Sequence, residues 1–450
     1  MEKDFDPYHI PETIAQIMAA GGSLAISISG GKDSQAMLNY VVHLYKHFGW
    51  QGTLFAIFAD LGEIEWQGTL EHCYAICREA GVPLVVVQRS QGGLIERWWQ
   101  RWESIKKAVK DGKVTKKKKV TKGRAAKGKV ATTEKVAKLV PPFSSSTNRF
   151  CTDHLKVQPV DKYLRKIQPL EELPKIGSAP PFSDSKNRFC TSELKTAQCD
   201  KELRARASQL VVCCVGIRAD ESKARAKKPT YCVRSNITTE MLKQPEGCES
   251  ISARESWADQ AWRLWSDGSV PRNSEDIMPR LGITWHPIHN WAVEQVWKYC
   301  GTSGEELEAR RLLYDCGLYH QAFAGWKAAW VYVTRNTRLS CALCVLGSAG
   351  DVSRGCQLNP GTWRKIVEIE QATGYSFRQD MSLTSLSDHV KSFPAEKLEA
   401  IYGALRELGL IYLDQHWRLN GAELTELLSR GLKPQELAKA FVRRLRDKVG

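Results

Sequence analysis

Six consecutive residues, Ser29-Gly-Gly-Lys-Asp-Ser34, combine the residue types that hold an anion. Gly30 and Gly31 let the backbone turn tightly and approach a charged group closely. Lys32 adds a point charge, and Ser29 and Ser34 add hydroxyl donors. Ahead of them Leu24–Ile28 reads as a short apolar strand. Behind them Asp33–Phe48 carries Ala36, Met37, Tyr40, Val41 and Leu44 at helical spacing. A helix opening here points its unpaired N–H groups and positive dipole end at whatever the turn holds. The combination predicts a nest for a pyrophosphate. The spacing is too short for the Walker loop, Gly-x-x-x-x-Gly-Lys-Ser/Thr. The plainer alternative is a Gly-Gly turn followed by an Asp/Ser helix cap.

A second constellation is Cys341-Ala-Leu-Cys344, with Cys316 before it and Cys356 after it. A Cys-x-x-Cys pair can turn both thiolates toward one metal, and thiolates suit zinc or an iron–sulfur cluster. The four residues are therefore candidate ligands for zinc or a 4Fe–4S cluster; buried or idle thiols are the alternative. Cys213 and Cys214 are adjacent but fall in the apolar stretch Leu210–Val215, where free cysteine serves as a small apolar residue.

SGGKDS after an apolar strand resembles the PP-loop of the ATP pyrophosphatase superfamily, in the branch of phosphoadenosine phosphosulfate (PAPS) reductase-like proteins. Further resemblances follow in order over roughly residues 20–350. Phe58-Ala-Asp60-Leu-Gly62-Glu63 resembles the second-strand motif whose acidic end lies near the nucleoside. Asn187 to Lys195, NRFCTSELK, resembles the Arg-x-Cys-Thr-x-x-Leu-Lys motif. Gly216-Ile-Arg-Ala-Asp-Glu-Ser-Lys-Ala-Arg225 resembles the Gly-x-Arg-x-x-Glu-Ser segment, and Trp285 to Trp291, followed by Val296-Trp297, resembles the later strand and helix. The resemblance implies an adenine nucleotide alpha hydrolase-like fold. It also implies a nucleotide pocket built from Ser29, Gly30, Gly31, Asp60, Arg188, Lys195, Gly216, Arg218, Glu221 and Arg225. Arginine suits two-point contact with phosphate or sulfate, and lysine supplies a compact charge. The plainer alternative is a solvated surface with Glu193 and Glu221 as ion-pair partners.

The ATP-using relatives cleave between the α and β phosphates, adenylylating a substrate oxygen and releasing pyrophosphate. The resemblance thus implies ATP and Mg²⁺, with Lys32, Asp33 and Ser34 as the catalytic group and Asp33 beside the metal. Some relatives, adenosine phosphosulfate reductases and DNA-phosphorothioation proteins among them, hold a 4Fe–4S cluster. Their reductase motif has adjacent cysteines where this chain has a single one in RFCT. Thiol-dependent reductases use a late Cys in a Glu-Cys-Gly-x-His context, and no cysteine follows Cys356 here. The expectation is an ATP-consuming enzyme of sulfur transfer, with DNA phosphorothioation as one specialisation and a sulfur-donor protein as a partner. Sulfonucleotide reduction by an external thiol, or a nucleotide-binding nucleic-acid module without turnover, are the alternatives.

These motifs need a frame, and the pattern supplies one. Leu54–Phe58, Pro83–Val87 and Leu210–Val215 read as further strands, with a helix over Gly68–Ala80. Strands alternating with helices predict an α/β fold with a parallel, doubly wound sheet. The chain has 450 residues, 42% of them apolar and 26% charged, which excludes wholesale disorder. No apolar run approaches the ~18–20 residues that span a bilayer. Fourteen cysteines in so long a chain do not make a secreted disulfide scaffold. The N-terminus lacks a targeting pattern, so a cytoplasmic protein with no membrane partner is expected.

The net charge of +15 is concentrated: fourteen basic residues against Asp111 and Glu134 lie between Lys106 and Lys138. Residues 106–140 read as a Lys-rich insert that cannot offset its ordering entropy. It either contacts DNA or RNA phosphates or acts as a solubilising tether. Trp98, Trp99 and Trp102 just before it could stack on bases, although core packing is the commoner fate of tryptophan. PPFSSSTNRFCTDHLK at 141–156 recurs at 180–195 with 12 of 16 positions identical. The second copy, closer to Gly216, is the working one; Arg149, Cys151 and Lys156 are the fallback. The expected organisation is a nucleotide-binding α/β domain over 1–300, a cysteine-containing segment over 301–360 and a helical C-terminal region over 361–450. Helices are expected there at Trp363–Thr373, Ala395–Leu408, Ala422–Ser429 and Pro434–Lys448.

Overall fold

The computed structural model describes residues 6–110, 181–184, 188–271, 279–339, 341–378, 380–387 and 389–411. The Lys-rich insert beyond 110, the first motif copy with Arg149, Cys151 and Lys156, and the expected helices at 422–429 and 434–448 lie outside them.

Six strands form one sheet: β1 (Ser23–Ile28), β2 (Leu54–Asp60), β3 (Leu84–Gln88), β4 (Leu210–Val215), β5 (Tyr231–Val233) and β6 (Leu281–Trp285), in the order β3-β2-β1-β4-β6-β5. The four neighbouring pairs from β3 to β6 are parallel, with Leu24 opposite Leu54 and Val212. The edge strand β5 runs antiparallel to β6, which the sequence reading did not contain.

Strand alternation divides the interior in two. Leu24, Ile26 and Ile28 face one core with Val212 and Cys214; Ala25 faces the other with Phe55, Ile57, Val211 and Cys213. A central parallel strand is covered on both faces, so β1 reads as an apolar run after Ser23, interrupted only by Ser27. The first face carries α1 (Glu12–Ala19), α2 (Lys32–His47) and α3 (Thr69–Ala80). Ala36, Met37, Tyr40, Val41 and Leu44 of α2 are all buried, as the helical spacing requires. The second face is closed by α5 (Ala197–Ala205), with Cys199 and Leu203 inward.

Between them in sequence lies α4 (Leu94–Lys110). Its Trp98 is fully buried, edge-on to Phe182 and Phe377 at 5.0 and 6.2 Å, and Trp102 packs against Tyr375. Both are core residues rather than a stacking platform. Trp257, Trp262 and Trp265 tie their ring N–H groups to Leu242, Gln16 and Pro279 around α6 (Ile251–Ser266).

Beyond the sheet come α7 (Val293–Tyr299), α8 (Gly304–Asp315), α9 (Tyr319–Phe323), α10 (Ala349–Leu358), α11 (Pro360–Thr373) and α12 (Ala395–Glu407). The helices expected at 363–373 and 395–408 are α11 and α12. The first is not remote from the motifs: Lys365 of α11 pairs with Glu63, whose carbonyl also accepts a bond from Thr362.

Candidate functional site

The loop Ser29–Ser34 leaves the carboxyl end of β1 and enters α2. β2 lies on one side of β1 and β4 on the other, so the chain order reverses direction here. In open α/β sheets ligands bind outside the carboxyl ends of the strands at such a switch point. Gly30 adopts φ +73°, and a Cβ there would lie 3.1 Å from Leu339 and 3.3 Å from the Cys73 sulfur. A side chain at this position would be strained in its backbone and crowded. Ser29 N–H donates to Ser34 Oγ at 3.1 Å, and the Ser34 hydroxyl donates to the Gly31 carbonyl at 2.9 Å. Ser34 is therefore spent on shaping the turn. Among the described residues no group accepts the N–H of Gly30 or Gly31. These two amides are the donors the turn offers to an anion.

Lys32 and Asp33 point inward. The Lys32 ammonium sits 2.9 Å from Asp33 Oδ2 and lies over the rings of Trp297 and Tyr332 at 6.0 and 5.9 Å. The other Asp33 oxygen accepts from Arg218 Nε at 2.5 Å, and Arg218 Nη1 continues to Asp220. Burial raises the Asp33 pKa, but the Lys32 and Arg218 charges outweigh it and hold the carboxyl below its usual value. Asp33 thus stays ionised with both oxygens taken by cations. Two cations already balance its charge, so no step is assigned to a metal at Asp33.

Gly216 shows why β4 must end on glycine. A Cβ there would meet the Asp33 carbonyl oxygen at 3.1 Å and the Ser34 nitrogen at 3.2 Å, both backbone atoms. Two residues on, the Arg218 N–H donates to Glu221 at 3.2 Å, and Glu221 pairs with Arg225. His289 bridges to the Arg225 carbonyl, and its own carbonyl accepts from Ala219. The segment after β6 therefore braces the segment after β4.

On the far side, Asp60 ends β2, is buried, and accepts from Gly62 N–H at 2.8 Å. NRFCTSELK forms a helical turn, Phe189–Thr191, that passes into a π-helical turn over Ser192–Thr196. Such π turns concentrate at functional sites. Arg188 is exposed at its start, while Glu193 holds Arg97 at 2.7 Å. Lys195 is half-buried; burial opposes its charge, but Cys341, Glu65, Cys344 and Cys190 hold its pKa raised.

The cysteines are arranged differently from the expectation. Cys341 bridges to Glu65 beside β2, the Ala342 N–H donates to the Ile64 carbonyl at 2.7 Å, and Cys344 and Cys190 share the surroundings of Lys195. Cys316 is exposed at the end of α8, and Cys356 is buried within α10. Among the described residues no three His, Cys, Asp or Glu side chains are grouped to hold a metal ion. Cys316, Cys341, Cys344 and Cys356 therefore do not fit the shared zinc or iron–sulfur site, and no chemistry is routed through one.

No local pattern marks the part played by Lys327, Trp330, Tyr332 and Leu339. Lys327 carbonyl accepts from Gln35, Trp330 Nε1 donates to the Gln67 carbonyl, and Tyr332 hydroxyl accepts the Lys32 N–H at 2.9 Å. Leu339 covers Gly30 and Gly31. A separate cleft of about 1900 Å³ lies behind α2, lined by Asn39, Tyr40, His289, Trp291 and Tyr299 among others, but not by the loop glycines.

Residues 23–324 match the profile of the family described as "Phosphoadenosine phosphosulfate reductase domain". No curated protein matches the chain. The match begins at the first residue of β1 and stops short of Tyr332 and the Cys341–Cys344 pair. No described helix is long and apolar enough to cross a membrane.

Proposed function

Because the chain belongs to the phosphoadenosine phosphosulfate reductase domain family, we propose that it is a nucleotide-dependent enzyme of sulfur metabolism that cleaves ATP to AMP and pyrophosphate to activate an acceptor. The observation that carries this reading is the glycine turn at the switch point, with the Gly30 and Gly31 amides left to an anion and α2 starting behind them.

In the step proposed, an acceptor oxygen attacks the α-phosphorus while the α–β bridging bond breaks. Pyrophosphate leaves with the bonding electrons, and the acceptor keeps the adenylyl group for displacement by sulfur. Amides fixed before the reaction favour the charge that develops on the departing diphosphate. Lys195 and Arg188 add positive charge on the NRFCTSELK side. Lys32 acts indirectly, by holding Asp33 and, through it, Arg218 and the start of α2. Mg²⁺ neutralises phosphate charge when it is bound through the phosphate oxygens themselves. DNA is one acceptor of the right chemistry, with sulfur brought by a donor protein.

The test is incubation of the full chain with Mg·ATP, candidate acceptors and sulfide as the sulfur nucleophile that displaces AMP. AMP and pyrophosphate in equal amounts, lost in Gly30→Ala, are expected; intact ATP across all acceptors from folded protein overturns the reading. A second reading, favoured by the family's own description, is reduction of a sulfonucleotide by two equivalents of external thiol, giving sulfite and a disulfide. Sulfite release without ATP consumption would select it. Binding of nucleic acid that survives Lys32→Ala and vanishes on deletion of residues 106–138 would select a binding module instead.

A further inference from the structure

Tyr332 lies outside the matched family domain yet touches the loop at its most constrained point. Its hydroxyl accepts the Lys32 N–H at 2.9 Å, and the Leu339 backbone donates toward the same oxygen. The hydroxyl also stands 3.3 Å from where a Gly31 Cβ would be. The ring is 2% exposed, edge-on to Trp297 at 5.3 Å, and its face backs the Lys32 ammonium. The turn that carries it, Trp330–Tyr332, is anchored at both ends. Trp330 Nε1 donates to the Gln67 carbonyl at 2.9 Å, and the Tyr332 carbonyl accepts from Arg311 at 3.0 Å.

Lys32 is the first residue of α2, and its N–H is one of the donors that a helix start leaves unpaired. Here that donor faces the protein interior, where no ligand can reach. Without an acceptor it would be a buried unsatisfied group, and the turn would gain by rotating it outward. Rotation would move Gly30 and Gly31, whose amides have no acceptor among the described residues. Burial and the Asp33 charge push the phenol's pKa up, so the hydroxyl keeps its proton.

We propose that Tyr332 is a positioning residue for the phosphate loop: it fixes the Lys32 amide inward so that the Gly30 and Gly31 amides stay aimed at the ligand. The ligand half of this statement rests on the function proposed above; the loop half does not.

The experiment compares the wild-type full chain with Tyr332→Phe, which keeps the ring against Lys32 and Trp297 but removes the acceptor. Hydrogen exchange of the peptide spanning 29–38 reads the loop without any nucleotide, and calorimetric titration with Mg·ATP reads the ligand. With the variant folded at the assay temperature, loop exchange about tenfold faster and Mg·ATP affinity about tenfold weaker are expected. Exchange equal to wild type overturns the proposal. So does faster exchange with unchanged affinity, since the bond would then be merely structural. If wild type binds no Mg·ATP, the functional reading fails, and the exchange rates alone decide whether Tyr332 fixes the loop. Should Tyr332→Phe not fold, Gly31→Ala displaces the same hydroxyl and must show the same rise in exchange; protection at the wild-type level overturns the proposal.

Discussion

Asp33 and Arg218, 185 positions apart in the chain, meet at 2.5 Å with Arg218 only 4% exposed. The contact joins the loop after β1 to the segment after β4, the two strands that flank the switch point. It turns two sequence motifs into one site, and it makes the loop's geometry depend on a buried ion pair rather than on glycine alone.

Asp33→Asn leaves Lys32 and Arg218 short of their shared countercharge. Removing one partner of a buried pair costs about 3 kcal/mol, to be read as a drop in the denaturant midpoint at pH 7. The Asp33 pKa is depressed in the folded protein, so its stabilisation is complete above the ordinary carboxylate pKa. It fades as pH falls through and below that range. The gap between wild type and variant must therefore narrow in acid; a constant gap contradicts the pairing.

Gly216→Ala places a methyl against the backbone of Asp33 and Ser34, and neither atom can swing aside as a side-chain end would. The expected result is a destabilisation of about 1–3 kcal/mol together with loss of nucleotide binding. Thermal melts and Mg·ATP titration of the one variant check both. Wild-type affinity in Gly216→Ala would mean that the close approach of β4 to α2 has no role in the site.

His286 is buried and His72 half-buried, and loss of solvent lowers each pKa to about 4. In the unfolded chain they titrate near 6.5, so between pH 6.5 and 4 the unfolded state binds more protons. Their share of stability is complete above pH 6.5 and is lost as pH falls toward 4, each contributing a slope of up to ~1.4 kcal/mol per pH unit. Imidazole NMR signals from both should remain those of the neutral ring at pH 5.5. Titration of either at its ordinary pKa would contradict the burial.

The cysteines separate by environment. Cys316 is exposed, whereas burial, then Cys344, raises the Cys341 pKa well above its usual value, and burial pushes the Cys356 thiol up to about 12. The thiolate is the reacting form. Iodoacetamide at pH 7.5 should modify Cys316 well before Cys341 or Cys356 in the folded protein. Cys316→Ser and Cys356→Ser should leave the iron and zinc content of anaerobically purified protein unchanged. A fall to background in either would restore the four-cysteine site.

Much of the frame was legible because it is local. The strands at 24–28, 54–58 and 210–215 announce themselves as apolar runs between turns, and the helix after Lys32 by its spacing. Gly30 and Gly31 stood out because a tight turn close to an anion favours glycine, and Gly216 through the resemblance of its segment; its close approach to Asp33 and Ser34 appears only in the fold. The antiparallel β5 is three residues long, too short for a periodic signal. The inward turn of Lys32 was hidden because it depends on Arg218, Trp297 and Tyr332, brought there by folding. Spacing misled for the cysteines: Cys-x-x-Cys is a local pattern, but whether Cys316 and Cys356 join it is decided by helices α8 and α10. For the tryptophans at 98 and 102 core packing, the commoner fate, holds, though Phe182, Tyr375 and Phe377, which bury them, are distant in the chain.

The most direct measurement is a structure of the full chain crystallised and soaked with Mg·ATP. Density for the β and γ phosphates within hydrogen-bonding distance of the Gly30 and Gly31 amides, with Asp33 still held by Lys32 and Arg218, is the expected result. A well-ordered triphosphate elsewhere, in the cleft behind α2 for example, with those two amides facing only solvent, would contradict the assignment of the loop.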